Sequence, residues 1–264
     1  MDPKIYNENY FRTMRGESQY YEGKAEINPL YQKALRVIGR HFRQGTVLEF
    51  GCGRGEMLKF CLDEGAEKVV GVDFSPVAIE LSAQLLAGYD QQRYELKEQD
   101  AAKFAYDQPV RLVLMMDFVE HVPDSTLDHV FSVCAQCLEP DGQILVHTFP
   151  TRGPNNIYHW LVRKGVVGGS LDLQYHVNVQ SRASLRATLE RAGLVVEKMW
   201  LETGYLTESN VLYNLNKKYP WLGQLVGVAE RFLNLGPVRA LVRALGLEEY
   251  IYMSIWSLVR TPRS

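Results

Sequence analysis

A glycine-rich segment near the start of the chain most constrains what this sequence can fold into. It reads VLEFGCGRG over residues 47–55 and lies between a predicted strand and a predicted helix. Glycines at such a turn let the backbone approach a ligand closely, and the helix start offers backbone N–H groups that have no partner within the helix. Asp73 ends the next predicted strand, 22 residues after Gly51, where a carboxylate can accept hydrogen bonds from ribose hydroxyls. Asp100 follows the third strand, from which a side chain could reach an adenine edge. Together they predict a nucleotide-type cofactor site.

Short β-rich runs alternate with amphipathic helices along most of the chain. Ser75-Pro76 is a typical helix start, with Ser as the N-cap and Pro in the first helical position. The alternation predicts an α/β fold, in which a parallel sheet has helices on both faces. The predicted strands cover 46–50, 68–73, 94–98, 111–116 and 143–149, then 194–201 and 250–259, and the main predicted helices cover 55–64, 76–86, 124–138 and 181–192.

The composition is that of an ordinary globular protein, and the length suits one large domain or one domain with sizeable insertions. Of the 264 residues 46% are hydrophobic, and 29 basic against 31 acidic residues give a net charge of −2. Because a nucleic-acid binder usually has a basic surplus, we expect no nucleic-acid partner. Cys134 and Cys137 fall on a predicted helix and are expected to pack in the core rather than bind zinc. Neither a signal-peptide pattern nor an apolar run of about 20 residues is found, so we expect a soluble, cytoplasmic protein.

Several segments together resemble class I S-adenosylmethionine-dependent methyltransferases, and the resemblance covers residues 45–202. Residues 47–55 are similar to the first motif of that family, and residues 70–76, VGVDFSP, to its second. Residues 116–124, MDFVEHVPD, resemble the fourth-strand motif of the branch that includes the ubiquinone-biosynthesis O-methyltransferases. The resemblance implies a Rossmann-like, seven-stranded, mostly parallel sheet and S-adenosylmethionine as the cofactor.

The resemblance also implies which residues hold the cofactor. Glu49, acidic in the first strand, suits a cofactor with an amino-acid part, because it can pair with the ammonium group directly or through water. The expected cofactor-binding residues are Glu49, Gly51, Cys52, Gly53, Asp73, Phe74, Asp100, Ala101 and Met116.

Three alternatives to this interpretation remain. A nicotinamide or flavin oxidoreductase is disfavoured, because Gly55 comes two residues after Gly53 and not three. A plain tight turn is disfavoured by the presence of Asp73 and Asp100. A non-catalytic protein that binds the cofactor as a sensor or partner subunit is disfavoured because neither of the first two motifs is degraded.

The candidate catalytic residues follow from where ligands bind in such sheets, at the carboxyl ends of the strands. Methyl transfer needs an in-line nucleophile, and an acceptor that loses a proton also needs a base. Asp117 and its neighbours lie at the correct edge, whereas His147 is expected to point into the packing of the sheet. Relatives use the Glu-His pair after strand four in catalysis, in cation or bicarbonate handling, or not at all, and many have a His at the position of His176. The expected catalytic residues are His121, His176 and Glu120, with Glu120 packed or bridging rather than a base, and no metal is expected.

The chain is expected to have further segments around the core. Tyr20, Tyr21 and Arg15 are candidates for a lid over the site, with ordinary helix packing as the alternative. The predicted segments are an N-terminal helical lid (1–44), a methyltransferase core (45–202, with an insertion at about 150–180), a helical insertion (203–247) and the final strand with a tail (248–264).

The 203–247 insertion is strongly apolar and larger than the fold requires. We expect a helical subdomain packed on the core, and our hypothesis is that it forms an apolar pocket for the acceptor. A homodimer face is one alternative, and a membrane-surface contact through Arg231, Arg239 and Arg243 is a less favoured one.

The expected activity is methyl transfer from S-adenosylmethionine to a small, fairly apolar metabolite. Oxygen is the preferred acceptor atom because of the similarity over residues 116–124. Methylation of carbon or nitrogen in a natural product or a lipid-like acceptor is the alternative.

Overall fold

The strands of the protein form one sheet in the computed structural model, which describes residues 6–13, 29–149, 151, 156, 159–160, 163–164, 176–203 and 219–262. The sheet has seven strands: β1 (Thr46–Phe50), β2 (Lys68–Asp73), β3 (Tyr94–Glu98), β4 (Val110–Met116), β5 (Leu138–Thr148), β6 (Val195–Glu202) and β7 (Ser254–Arg260).

The strand order reverses between β1 and β4, which are neighbours in the order β3-β2-β1-β4-β5-β7-β6. Strands β1 to β5 run parallel, while β7 runs antiparallel to both β5 and β6. Ligands of open α/β sheets bind where the strand order reverses, outside the carboxyl ends of the strands. The predicted α/β class and the mostly parallel, seven-stranded sheet are confirmed.

Local sequence signals determine where several helices begin. Ser75 caps a helix, since its Oγ accepts a hydrogen bond from the N–H of Ala78 at 3.3 Å and Pro76 follows in the first turn. Ser181 and Ser184 form a capping box at the start of another helix. The helices of the described residues are α1 (Glu8–Thr13), α2 (Pro29–Ile38), α3 (Glu56–Asp63), α4 (Pro76–Leu86), α5 (Asp124–Cys137), α6 (Arg182–Arg191), α7 (Pro220–Leu233), α8 (Gly236–Ala244) and α9 (Glu248–Ile251).

The central strands are buried on both faces. Leu48 and Val113 belong to the hydrophobic cluster on one face, and Val47 and Leu112 to the cluster on the other. Burial on both faces explains why these strands are almost continuously apolar in sequence. Cys134 and Cys137 are free thiols inside the first cluster, as expected of packing residues.

Two strand boundaries differ from the prediction by more than one residue. Strand β5 begins at Leu138 and not at 143, because Leu138 pairs with Val110 before a shift of register brings Gln143 opposite Leu112. Strand β7 begins at Ser254 and not at 250, because the preceding residues form the short helix α9. The early start of β5 depends on pairing with a distant strand, which local periodicity does not report.

The predicted helical insertion at 203–247 contains α7 and α8, while residues 204–218 lie outside the described residues. None of the described helices combines the length and apolar character that crossing a bilayer requires.

Candidate active site

The glycine segment forms a tight turn between β1 and α3. Gly51, Gly53 and Gly55 have φ angles of +69°, +54° and +82°, a backbone conformation that residues with a side chain rarely adopt. The N–H of Gly51 donates to the carbonyl of Val72 at 2.8 Å, and Ser82 Oγ donates to the carbonyl of Gly53 at 2.8 Å. The turn is thus fixed to β2 and α4, at the carboxyl ends of the strands.

Asp73 ends β2 and organises this turn. Its Oδ2 accepts a hydrogen bond from the N–H of Gly53 at 3.0 Å, and its Oδ1 accepts one from the N–H of Ser75 at 2.9 Å. Burial raises the pKa of Asp73 to about 6, although these backbone donors act in the opposite direction. The side chain also lines a cavity, so the same carboxylate holds the turn and faces the ligand space.

The cavity has a volume of about 290 Å³ and lies where the strand order reverses. Asp100, at its side, caps a short 3₁₀ turn, since its Oδ1 accepts a hydrogen bond from the N–H of Ala102 at 2.9 Å. The predicted cofactor residues that line the cavity are Gly51, Gly53, Asp73, Phe74, Asp100 and Ala101.

The remaining predicted cofactor residues, Glu49, Cys52 and Met116, are buried and do not line the cavity. Glu49 lies within β1, and Met116 ends β4 in the core. Cys52 Sγ lies 3.9 Å from Ser82 Oγ, and burial raises the pKa of the thiol well above its usual value. A contact between these residues and the cofactor stays a prediction.

Aromatic residues of the N-terminal segment cover the cavity. Tyr6, Tyr10 and Phe11 line it. Ser75 Oγ donates to the carbonyl of Tyr6 at 2.8 Å, and the Arg54 guanidinium donates to the carbonyl of Phe11 at 3.0 Å. The segment is therefore attached to the glycine turn and to the start of α4. The lid candidates Tyr20, Tyr21 and Arg15 lie outside the described residues.

The three predicted catalytic residues meet beside the cavity. Glu120 and His121 lie in a 3₁₀ turn after β4, and His176 lies before α6. Each offers a ligand atom within 4.8 Å of the others, and the ring centroids of the two histidines are 4.9 Å apart. Of the three, His121 lines the cavity, and its Nδ1 is hydrogen-bonded to Tyr6 Oη at 3.0 Å. His121 is thus the member positioned to meet a ligand.

Glu120 is buried and connects loops. Its Oε2 accepts a hydrogen bond from Thr148 Oγ1 at 2.8 Å and its Oε1 accepts one from the N–H of Phe149 at 3.3 Å, while its backbone carbonyl accepts one from the N–H of Asn178 at 3.0 Å. Burial, reinforced by the Asp117 carboxylate, raises the pKa of Glu120 to about 8. This geometry suits the bridging role that the sequence analysis expects.

Two imidazoles and one carboxylate are also a donor set that transition metals accept, and Glu120, His121 and His176 are close enough for one ion. Both carboxylate oxygens of Glu120 already accept hydrogen bonds, however. Its raised pKa also keeps a proton on the carboxyl group near neutral pH, and a metal would have to displace that proton. The expectation that no metal is needed therefore stays as a prediction.

Asp117 is a lining residue to which the sequence analysis assigned no role. It has a φ of +54°, which is unusual for a residue with a side chain. Its Oδ1 is hydrogen-bonded to His147 Nδ1 at 2.6 Å, and its N–H donates to the carbonyl of His147 at 3.0 Å. His147 itself is fully buried, with its ring centroid 4.5 Å from that of Trp256, so it points into the sheet packing as predicted.

Phe11 and Phe118 are lining residues that sequence reasoning missed. Phe118 packs over the glycine turn, since a Cβ on Gly51 would lie 3.1 Å from its Cδ2. The available signal for Phe118 was its place beside Asp117 in the fourth-strand motif, and Phe11 had no comparable signal.

The described residues of the 203–247 insertion do not line this cavity. Trp221, Leu225 and other apolar side chains of the insertion are exposed instead. The structure therefore gives no support to the hypothesis that the insertion forms the acceptor pocket.

Comparison with known proteins places this site in a family. A family model described as a methyltransferase domain matches residues 21–199, more than half of the chain. A ribosomal protein L11 methyltransferase of Shewanella piezotolerans is 32% identical over 106 residues, which are 40% of this chain and 34% of that protein. A ribosomal protein L11 methyltransferase of Vibrio vulnificus is 33% identical over 100 residues, 38% of this chain and 32% of that protein. The chain thus spans about a third of the length of these curated relatives.

Solved structures share the fold over most of the chain. A phosphoethanolamine N-methyltransferase 2 of Haemonchus contortus, in complex with S-adenosylhomocysteine, aligns with a TM-score of 0.64 at 14% identity, over 99% of this chain and 61% of that one. The cyclopropane synthase MmaA2 of Mycobacterium tuberculosis aligns with a TM-score of 0.59 at 15% identity, over 96% and 94%. With the glycine turn, Asp73 and the family match together, the chain belongs to the methyltransferase domain family.

Proposed function

We propose that the protein methylates a small, fairly apolar acceptor at an oxygen atom, with His121 as the base. The observation that supports this most directly is one cavity that is lined by the glycine turn, by Asp73 and by His121. The donor's methyl group and a proton acceptor can therefore meet in the same space.

The residues of the glycine turn suit S-adenosylmethionine. Because Gly51 and Gly53 have no Cβ, a ligand can approach the backbone of the turn closely. A Cβ on Gly53 would lie 3.8 Å from the Phe11 ring. The Asp73 carboxylate would accept hydrogen bonds from the ribose hydroxyls, and Asp100 would meet the adenine edge. The bound cofactor supplies an electrophilic methyl group on a positively charged sulfur.

Proton removal from the acceptor is the step assigned to His121. In the tautomer that has its proton on Nδ1, this N–H donates to Tyr6 Oη and the lone pair is on Nε2. The imidazole can then take the acceptor's proton, as general-base catalysis requires. The ring centroid of His176 is 4.9 Å from that of His121. His176 would therefore hold the protonated ring of His121 in position and would not contact the acceptor.

The apolar character of the acceptor is inferred from the cavity walls. Tyr10, Phe11, Phe118 and Val122 contribute apolar surface around the space in front of His121. Aromatic walls with a few polar groups are typical of sites for small apolar ligands. The preference for oxygen follows the similarity of residues 116–124 to the O-methyltransferase branch.

The decisive experiment is an acceptor screen that measures release of S-adenosylhomocysteine, with phenols, catechols, carboxylates, amines and carbon acids as acceptors. We expect turnover with an apolar oxygen acceptor, and a loss of roughly 100-fold in kcat for His121→Ala, the scale of general-base catalysis. His41→Ala is the control, since His41 bonds the Asp141 carbonyl outside the cavity and its removal should leave kcat unchanged.

Other outcomes of the screen would overturn the proposal. Turnover restricted to amines or to carbon acids would contradict methylation at oxygen, and so would turnover restricted to ribosomal protein L11 when that protein is added to the screen. Tight cofactor binding without turnover of any acceptor would favour the non-catalytic alternative.

A further inference from the structure

Helix α7 has an apolar stripe that faces solvent. Trp221, Leu225, Val228 and Phe232 are between 58% and 63% exposed. Their spacing of four, three and four residues places them on one side of an α-helix. Such a continuous exposed stripe is uncommon on a globular protein and marks an interaction surface.

The opposite side of α7 packs on the protein. Gly223, Gly227 and Glu230 are the buried residues of the helix, and they lie about 180° around the helix from the apolar stripe. The apolar stripe therefore faces away from the core of the protein. Helix α8, which contacts α7, adds the exposed side chain of Leu241, and the exposed Leu245 follows its last residue.

The end of α7 is anchored next to β6. Asn234 Nδ2 donates to the carbonyl of Thr203 at 3.0 Å, and the N–H of Thr203 donates back to Asn234 Oδ1 at 3.1 Å. Strand β6 runs parallel to β5, because both are antiparallel to β7. The carboxyl end of β6, and with it the α7 anchor, therefore lies at the same edge of the sheet as the cavity.

Among the exposed charged residues of the segment 219–251, more are basic than acidic. Within residues 219–251 the acidic Glu230 and Glu248 are buried, while Arg231 and Arg243 are exposed, and Glu249 is the exposed acidic residue. The side chain of Arg243 remains 57% exposed although it is ion-paired with Glu248. Two further basic residues, Lys217 and Lys218, precede the segment in the sequence.

An apolar face with aromatic residues and a basic margin is the pattern of a helix that lies in a membrane interface. We propose that α7 and α8 dock this protein on the surface of an anionic lipid bilayer. The stripe enters the boundary between headgroups and acyl chains, and the arginines meet lipid phosphates. A second copy of the chain is the weaker candidate, because a symmetric contact through this face would bring the arginine margins of both copies together. The proposal does not depend on which acceptor the enzyme methylates.

The test is co-sedimentation of the full chain with vesicles of phosphatidylcholine alone and of phosphatidylcholine mixed with phosphatidylglycerol, at low and high salt. We expect binding to the mixed vesicles that weakens as salt screens the arginines. The variant Trp221→Ser with Phe232→Ser should bind at least about tenfold more weakly, since two exposed apolar side chains no longer enter the bilayer. Arg231→Gln should lose about fivefold, the effect of one basic residue near an anionic surface.

Matched controls keep the result specific. Leu85→Ser removes an exposed apolar side chain from α4, and Arg40→Gln removes an exposed charge after α2. Both should bind mixed vesicles as the unmodified chain does, and circular dichroism should confirm that every variant is folded. Absence of binding to mixed vesicles at low salt would overturn the proposal. So would equal binding by the α7 variants, or a dimer in light scattering that these variants convert to a monomer while vesicles bind neither form.

Discussion

The Asp73 carboxylate has two roles, because it accepts hydrogen bonds from the N–H groups of Gly53 and Ser75 and it also lines the cavity. At the scale of residues, the site depends on single residues that make two such contacts. Tyr6 is a second case, because it joins the N-terminal segment to His121 through its hydroxyl and to Ser75 through its carbonyl.

Asp73→Ala should weaken binding of S-adenosylmethionine by about 1–3 kcal/mol, the scale of leaving polar partners unpaired. Isothermal titration calorimetry measures this loss directly. Asp107→Ala is the control, because Asp107 is exposed and does not line the cavity. Unchanged affinity in Asp73→Ala would refute the assignment of this carboxylate to the ribose.

Tyr6→Phe should lower kcat by about tenfold while KM changes little, because it removes one hydrogen bond to the base and keeps the ring in place. Steady-state kinetics of both proteins measure this, and equal kcat values would show that Tyr6 only packs.

Removal of divalent metals by a chelator should leave turnover unchanged. The carboxylate oxygens of Glu120 already accept hydrogen bonds from Thr148 and Phe149, and the two neighbouring histidines alone are a poor site for a metal ion. Activity assays before and after dialysis against EDTA, with Mg²⁺, Mn²⁺ and Zn²⁺ added back singly, decide this. Loss of activity that one metal restores would make Glu120, His121 and His176 a metal site instead.

At the scale of elements, the site depends on how turns meet their neighbours. The turn between β1 and α3 needs left-handed backbone at Gly51, and Phe118 from the segment after β4 packs directly over it. The loops that follow β1 and β4, where the strand order reverses, are therefore in contact. A change in the conformation of one loop would displace the other.

Gly51→Ala should lower the free energy of unfolding by about 1–3 kcal/mol, because Ala adds backbone strain at positive φ and its Cβ would crowd Phe118. Gly88→Ala is the matched control, since a Cβ there meets no atom within 4 Å and no positive φ is required. Urea denaturation of both variants measures the difference. Similar midpoints for the two variants would contradict the crowding at Gly51.

At the scale of the whole molecule, buried carboxyl groups link stability to pH. The pKa is raised to about 8 for Glu120 and to about 6 for Asp73, mainly by burial. In the unfolded chain these groups have pKa values of about 4. The folded protein therefore holds protons that the unfolded chain releases, and stability falls as pH rises between those values.

The free energy of unfolding should accordingly fall by a few kcal/mol between about pH 5 and about pH 8, with the Asp73 contribution complete by about pH 6. Glu120→Gln should remove most of the decrease above about pH 6, because the amide does not titrate in that range. Denaturation curves of both proteins over this range measure it. Parallel pH dependences would show that Glu120 does not keep its proton in the folded protein.

The local sequence determined most of the scaffold. Near-continuous apolar runs placed β1, β2 and β4, and Ser75-Pro76 placed the start of α4, since burial and capping act over a few residues. The spacing from Gly51 to Asp73 was likewise sufficient to predict that both face one cavity, because parallel strands end at the same edge.

Only the tertiary structure decided which side chains meet. The early start of β5 depends on Val110, the cover of the cavity by Tyr6 and Phe11 depends on Ser75 and Arg54, and the left-handed Asp117 depends on His147. The tertiary structure also decided the environment of α7. Its apolar residues suggested an acceptor pocket in the sequence, but in the structure they face solvent. Periodicity reports which side of an element is apolar, but which partner covers that side depends on contacts between residues far apart in the chain.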